Sequence, residues 1–166
     1  FLDIDGDNDQ DLYITSGGSE FKSDNRLLKD RLYVNDGVGN YSKKPKAIPN
    51  IYESTQCIKS SDIDGDGVND LVYYQQNIRF VGESFVRPGN LTVLWGDCSE
   101  RVNLWSDSEI TVSNPFLSDM DVADIDGDGN ADIVMVVRDN TLTNQYIQIY
   151  KGPDPTLLTA QQTLAV

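Results

Sequence analysis

The apolar residues of this 166-residue chain fall in short runs, separated by polar stretches that carry glycine. No run recurs with a helical period, so strands are expected throughout. Three runs of β-branched and aromatic residues stand out: Leu12-Tyr13-Ile14, Leu71-Val72-Tyr73 and Ile133 to Val137. A second run follows each and ends in a turn signal. These are Leu32-Tyr33-Val34 before Asp36-Gly37, Leu91 to Trp95 before Gly96-Asp97, and Tyr146 to Tyr150 before Lys151-Gly152. Glycine accepts the positive φ that such turns need. Weaker strands are expected after the turns, around 40–42, 102–105 and 156–159. Two more are expected at Thr55 to Ser60 and Ser118 to Ala123. The segment 18–30 is polar and irregular, with room for one helical turn.

Each first run is preceded by the same acidic pattern. It reads DIDGDNDQD from Asp3 to Asp11, DIDGDGVND from Asp62 to Asp70, and DIDGDGNAD from Asp124 to Asp132. The copies lie about sixty residues apart and align without gaps, which marks an internal repeat. The unit is therefore strand, acidic loop, strand, variable loop, strand, turn, strand. Four short antiparallel strands per sixty residues describe one blade of a β-propeller. The expected fold is all-β, with about three four-stranded blades over 1–49, 50–110 and 111–166, the first lacking its opening strand. A blade cannot bury both faces alone, so the blades must stack, and further blades are expected from flanking or associated chain.

Charge narrows the function. The chain has 13 Lys and Arg against 27 Asp and Glu, a net charge of -14. That balance disfavours nucleic acid and anionic membrane surfaces, which need a cationic surplus. No apolar stretch is long enough for a membrane-spanning helix. Histidine is absent, which removes the usual general base and the usual zinc ligand. Cys57 and Cys98 are too few for a disulfide scaffold and are read as two separate thiols.

The acids concentrate in the three loops. Aspartates at positions one, three, five and nine would repel one another strongly without a cation. An all-oxygen set of this size selects calcium, which takes six to eight oxygen ligands in flexible geometry. The expected side-chain ligands are Asp3, Asp5, Asp7 and Asp11; Asp62, Asp64, Asp66 and Asp70; and Asp124, Asp126, Asp128 and Asp132. The backbone carbonyl at position seven, from Asp9, Val68 and Asn130, would complete each set. Gly6, Gly65 and Gly127 let the backbone bend around the ion. An EF-hand is excluded, because its bidentate Glu at position twelve is replaced by Ile14, Tyr73 and Met135. Three calcium ions are expected, and chelation should destabilise the fold.

These loops resemble the FG-GAP/VCBS repeat of integrin-α-like β-propellers, and the segment DRLYVNDGVGNY from Asp30 to Tyr41 resembles bacterial secreted VCBS and UnbV-like proteins. The resemblance implies that the calcium loop joins the first and second strands of a blade, and that six to eight blades close a propeller. It implies the ligand sets above, residue by residue. The Phe-Gly and Gly-Ala-Pro signatures of integrin blades are absent.

The expected function is a calcium-stabilised, non-catalytic binding, adhesion or scaffold module that is secreted, extracellular, on the cell surface or periplasmic. Its protein or glycan partner would meet the loops, including the insertions 15–30 and 74–90 with Tyr74, Gln75, Gln76 and Phe80. Two alternatives carry their own candidate residues. A polysaccharide-lyase-type enzyme fragment would need a base such as Lys43, Lys44 or Lys46. A lectin would stack sugars on Trp95 and Trp105, although their strand positions suit core packing. Asn40 and Asn90 lie in glycosylation-type triplets.

Overall fold

Every acidic loop is followed by a strand, because β-branched and aromatic residues resume where the carboxylates stop. The computed structural model describes all residues except 6, 19, 22, 23, 50, 51, 77, 78, 82, 83, 87, 88, 97–100, 107–115, 140, 141, 155–157, 165 and 166, and gives backbone only at 79–81, 84–86, 101–106 and 158–164. The described residues form strands joined by loops, with one 3-10 turn at Arg26–Leu28 and no α-helix.

The first sheet has three antiparallel strands: β1 (Leu12–Ile14), β2 (Arg31–Val34) and β3 (Ser42–Lys43). The second is four-stranded: β4 (Ser54–Ser61), β5 (Asp70–Gln76), β8 (Gly89–Leu94) and β9 (Arg101–Ser106), in that order. The third repeats this meander with β10 (Phe116–Ala123), β11 (Asp132–Arg138), β12 (Gln145–Tyr150) and β13 (Leu158–Leu164). A small hairpin, β6 (Arg79–Val81) with β7 (Ser84–Val86), projects between β5 and β8. All pairings in these sheets are antiparallel, and each joins consecutive strands except β5 with β8, which are separated by the hairpin, as in propeller blades.

Strand alternation sends the side chains of β5 to two different cores. Leu71 and Tyr73 join Leu2, Ile4, Leu32, Ile48 and Leu94 between the first and second sheets. Val72 and Tyr74 face the other way, with Leu91, Val93, Ile133, Met135 and Val137 between the second and third sheets. The middle sheet is thus sandwiched, and its central strand is buried along its whole length. The apolar residue at loop position two plugs the gap to the following sheet. Ile4 is 8 % exposed and Ile63 0 %, each within one of the two cores, whereas Ile125, with no described sheet beyond it, is 48 % exposed.

Two expectations change. Tyr74, Gln75 and Gln76 are not on a recognition loop. They are the buried end of β5, where Gln75 Nε2 donates to Thr55 Oγ1 at 3.2 Å. The insertion 74–90 is largely strand, and the side chain of Phe80 lies outside the described residues. Trp95 packs against the second core, as strand placement suggested. The side chain of Trp105 lies outside the described residues. Cys57 is a half-buried free thiol, pushed above the ordinary thiol range by burial, and Cys98 lies outside the described residues.

A buried carboxylate ties the first sheet to the second. Asp30 accepts from the Ser16 backbone N–H at 2.6 Å, the Thr55 hydroxyl at 2.8 Å and the Tyr13 hydroxyl at 3.2 Å. Thr55 belongs to β4, so this bond crosses between sheets.

Candidate metal centres

In the second and third sheets the acidic loop connects the first strand to the second, and in the first it leads into β1. The tight bend relies on left-handed backbone at two positions. At position four, Gly65 and Gly127 both have φ 79°; Gly6 lies outside the described residues. At position six, Gly67 has φ 90° and Gly129 97°, while the first loop places Asn8 there at 68°. Asparagine is among the few side chains that tolerate this region. The need at position six was not anticipated from sequence, although Asn-or-Gly at that place is its signature.

The position-one aspartate collects amides. Gly65 N–H and Gly67 N–H donate to the two oxygens of Asp62 at 2.8 and 2.9 Å, and Gly127 and Gly129 do the same for Asp124 at 2.7 and 3.0 Å. Asn8 N–H donates to Asp3 at 3.0 Å. The position-five carboxylates Asp7, Asp66 and Asp128 each accept from the position-seven amide, at 3.0, 2.8 and 2.8 Å. These bonds wrap the backbone so that carboxylates gather on one side.

Position nine does something different. Asp11, Asp70 and Asp132 are buried. One oxygen of each accepts from the position-two amide: Ile4 at 2.9 Å, Ile63 at 2.8 Å and Ile125 at 3.1 Å. The other accepts from the turn after β2, β8 or β12: Asn35 at 2.9 Å, Gly96 at 2.8 Å and Gly152 at 3.1 Å. This clasp holds the loop to a turn twenty or more residues away in sequence. It explains Gly152, whose missing side chain leaves room for the carbonyls of Ala131 and Ile63.

Three carboxylates per loop bring an oxygen within 4.8 Å of one another: Asp3, Asp5 and Asp11; Asp62, Asp64 and Asp66; Asp124, Asp126 and Asp132. The remaining expected side chains, Asp7, Asp70 and Asp128, lie in the same loops but outside these groups. Of the position-seven residues, Asp9 and Asn130 are half-buried and Val68 is exposed. The loops also touch one another, since Asn69 Nδ2 donates to the Asp3 carbonyl at 3.3 Å.

Electrostatics bear the mark of crowding. The Asp5 carboxyl is raised by loss of surrounding water and then by the Asp7 and Asp11 charges. Asp70 is raised by burial, against the lowering effect of its two amide donors. Asp9 is raised by desolvation and the Asp7 charge, against the lowering effect of the Gly37 amide, and both its oxygens are closed off from water. An all-oxygen donor set with carboxylates this close together fits a hard divalent cation. The third loop differs from the others. Lys151, in the turn after β12, reaches the position-three carboxylate Asp126, and this pairing lowers the Asp126 carboxyl and raises the Lys151 ammonium. Nothing in the loop motif announced this lysine, because it sits 25 residues from its partner.

Among known proteins, residues 3–73, which span the first two loops and the strands up to β5, match the family model described as the FG-GAP-like repeat. No curated protein and no solved structure matches the chain.

Proposed function

From a chain that carries an FG-GAP-like repeat, and is propeller-like in its sheets, we propose a calcium-braced, non-catalytic binding or scaffold module that works outside the cytoplasm. The observation that carries this reading is the recurrence of one carboxylate cluster at the same node of three sheets. Asp3, Asp5, Asp7 and Asp11, their counterparts in the other two loops, and the carbonyls of Asp9, Val68 and Asn130 would hold the ions. The ion would neutralise a loop whose own carboxylates raise one another, and so fix the angle between successive strands. That role is structural, and extracellular calcium is abundant enough to fill weak sites. With the aspartates occupied in this way, a protein or glycan partner would meet other loops.

Melting the protein with and without excess chelator tests the reading. Ion binding to the folded state alone stabilises by about 2.7 kcal/mol per site at a hundred times the dissociation constant. Filling the sites is therefore expected to raise Tm by about ten degrees or more. Calorimetric titration is expected to count three ions. An unchanged Tm in chelator overturns the calcium reading.

A further inference from the structure

The cations of this acidic chain are not spread evenly. Arg26, Lys29, Arg31 and Lys43 line one cleft of about 320 Å³, together with Ser16 and Asp30. Four cations against one carboxylate invert the ratio of the whole chain. They come from separate elements: Arg26 from the 3-10 turn, Arg31 from β2 and Lys43 from β3. Lys43 pairs with Tyr33, two residues along β2 from Arg31, so Arg31 and Lys43 share one face of the first sheet. The fold has gathered them; no basic run in the sequence did.

Asp30 does not account for the group. Its oxygens already take three donors, from Ser16, Thr55 and Tyr13. The bond from Arg31 Nη2 to Ser16 Oγ is long, at 3.5 Å. Arg31 Nε is closed off from water and has no acceptor. A guanidinium at the wall of a cleft is suited to an oxyanion, whose acceptor oxygens match its planar fork in spacing.

We propose that this cleft binds a small ligand through a single oxyanion group, a sulfate, phosphate ester or carboxylate. Its volume lies at the lower end for small-molecule sites and suits one sugar-sized unit. The net charge of -14 opposes the approach of a long polyanion while leaving a compact anion free to enter. The site is separate from the aspartate loops, so it does not depend on calcium filling them.

Calorimetric titration of the full chain in low-salt buffer with 1 mM calcium as about the working level tests this with four probes: inorganic sulfate, glucose 6-phosphate, glucuronate and neutral glucose. At least one anion is expected to saturate below about 10 mM, with glucose inert. The tightest anion identifies the source of the group. The double variant Arg26→Gln with Lys43→Gln should weaken binding about tenfold or more at unchanged Tm. The charge-matched control Lys44→Gln with Lys46→Gln, outside the cleft, should leave affinity within about twofold. Absence of saturable binding for all three anions overturns the proposal. So does equal binding of glucose, or an equal loss in the control, which would show general electrostatics instead of a site.

Discussion

At the scale of single residues, aspartates that look alike in the motif have different duties. The ninth, as at Asp132, is buried and joins two backbone amides, whereas the fifth, as at Asp128, is exposed. In chelator, Asp132→Ala is expected to cost about 2–4 kcal/mol, because it orphans two donors. Asp128→Ala should cost less than about 0.5 kcal/mol there and show its loss only when calcium is present. Urea denaturation in both conditions checks the split. Lys151 supplies a second contrast. An exposed ion pair is worth up to about 1 kcal/mol, so on the proposed calcium reading Lys151→Met should tighten binding at the third loop by about two- to fivefold in a calorimetric titration. The carboxylates themselves were legible in the sequence, since four acids in nine residues leave few alternatives. Their division of labour was not, because it depends on which oxygens meet Asn35, Gly96 and Gly152 across the sheet.

At the scale of elements, flanking strands were readable wherever apolar residues met a turn signal. The β5 terminus was misread because a strand buried on both faces loses its alternation, and Gln75 and Gln76 look like loop residues until their burial is seen. The hairpin 79–86 was hidden in the same stretch. The link between the first two sheets through Asp30 was also hidden, as it needs Ser16, Tyr13 and Thr55 brought together. Burial holds the Asp30 carboxyl above the ordinary range, more than its hydrogen bonds and Arg31 lower it. The native state therefore binds this proton more readily than the unfolded chain. Stability attributable to Asp30 should increase as pH falls through its folded value, and level off below the unfolded value of about 3.9. Comparing wild type with Asp30→Asn by urea denaturation from about pH 7 to pH 4 isolates it. The wild type is expected to gain on the variant as pH falls. A constant difference would show that Asp30 does not titrate in that interval.

At the scale of the whole molecule, both cores share the central sheet, with Leu71 and Tyr73 on one side and Val72 and Tyr74 on the other. Neither interface can open without exposing one face of the same strands. Leu32→Ala in the first core and Val137→Ala in the second should each cost about 2–4 kcal/mol. Each should move a single transition, with fluorescence and circular dichroism curves coinciding. Two separated transitions would show that the sheets unfold independently. The stack itself could be foreseen from the repeat, because a lone blade has nowhere to hide its faces. Which side each loop isoleucine would plug could not, since Ile4, Ile63 and Ile125 are identical in sequence context and differ only in whether a described sheet follows.

The ninth-aspartate clasp has a mechanical consequence. A chain pulled from its ends would ordinarily surrender a meander one strand at a time, as a zipper opens. A carboxylate that grips both the loop before the second strand and the turn after the third makes those strands take the load together. Tension then meets several bonds in parallel, and rupture requires them to fail at once. A tether built from such units would yield abruptly at high force instead of paying out slowly at low force.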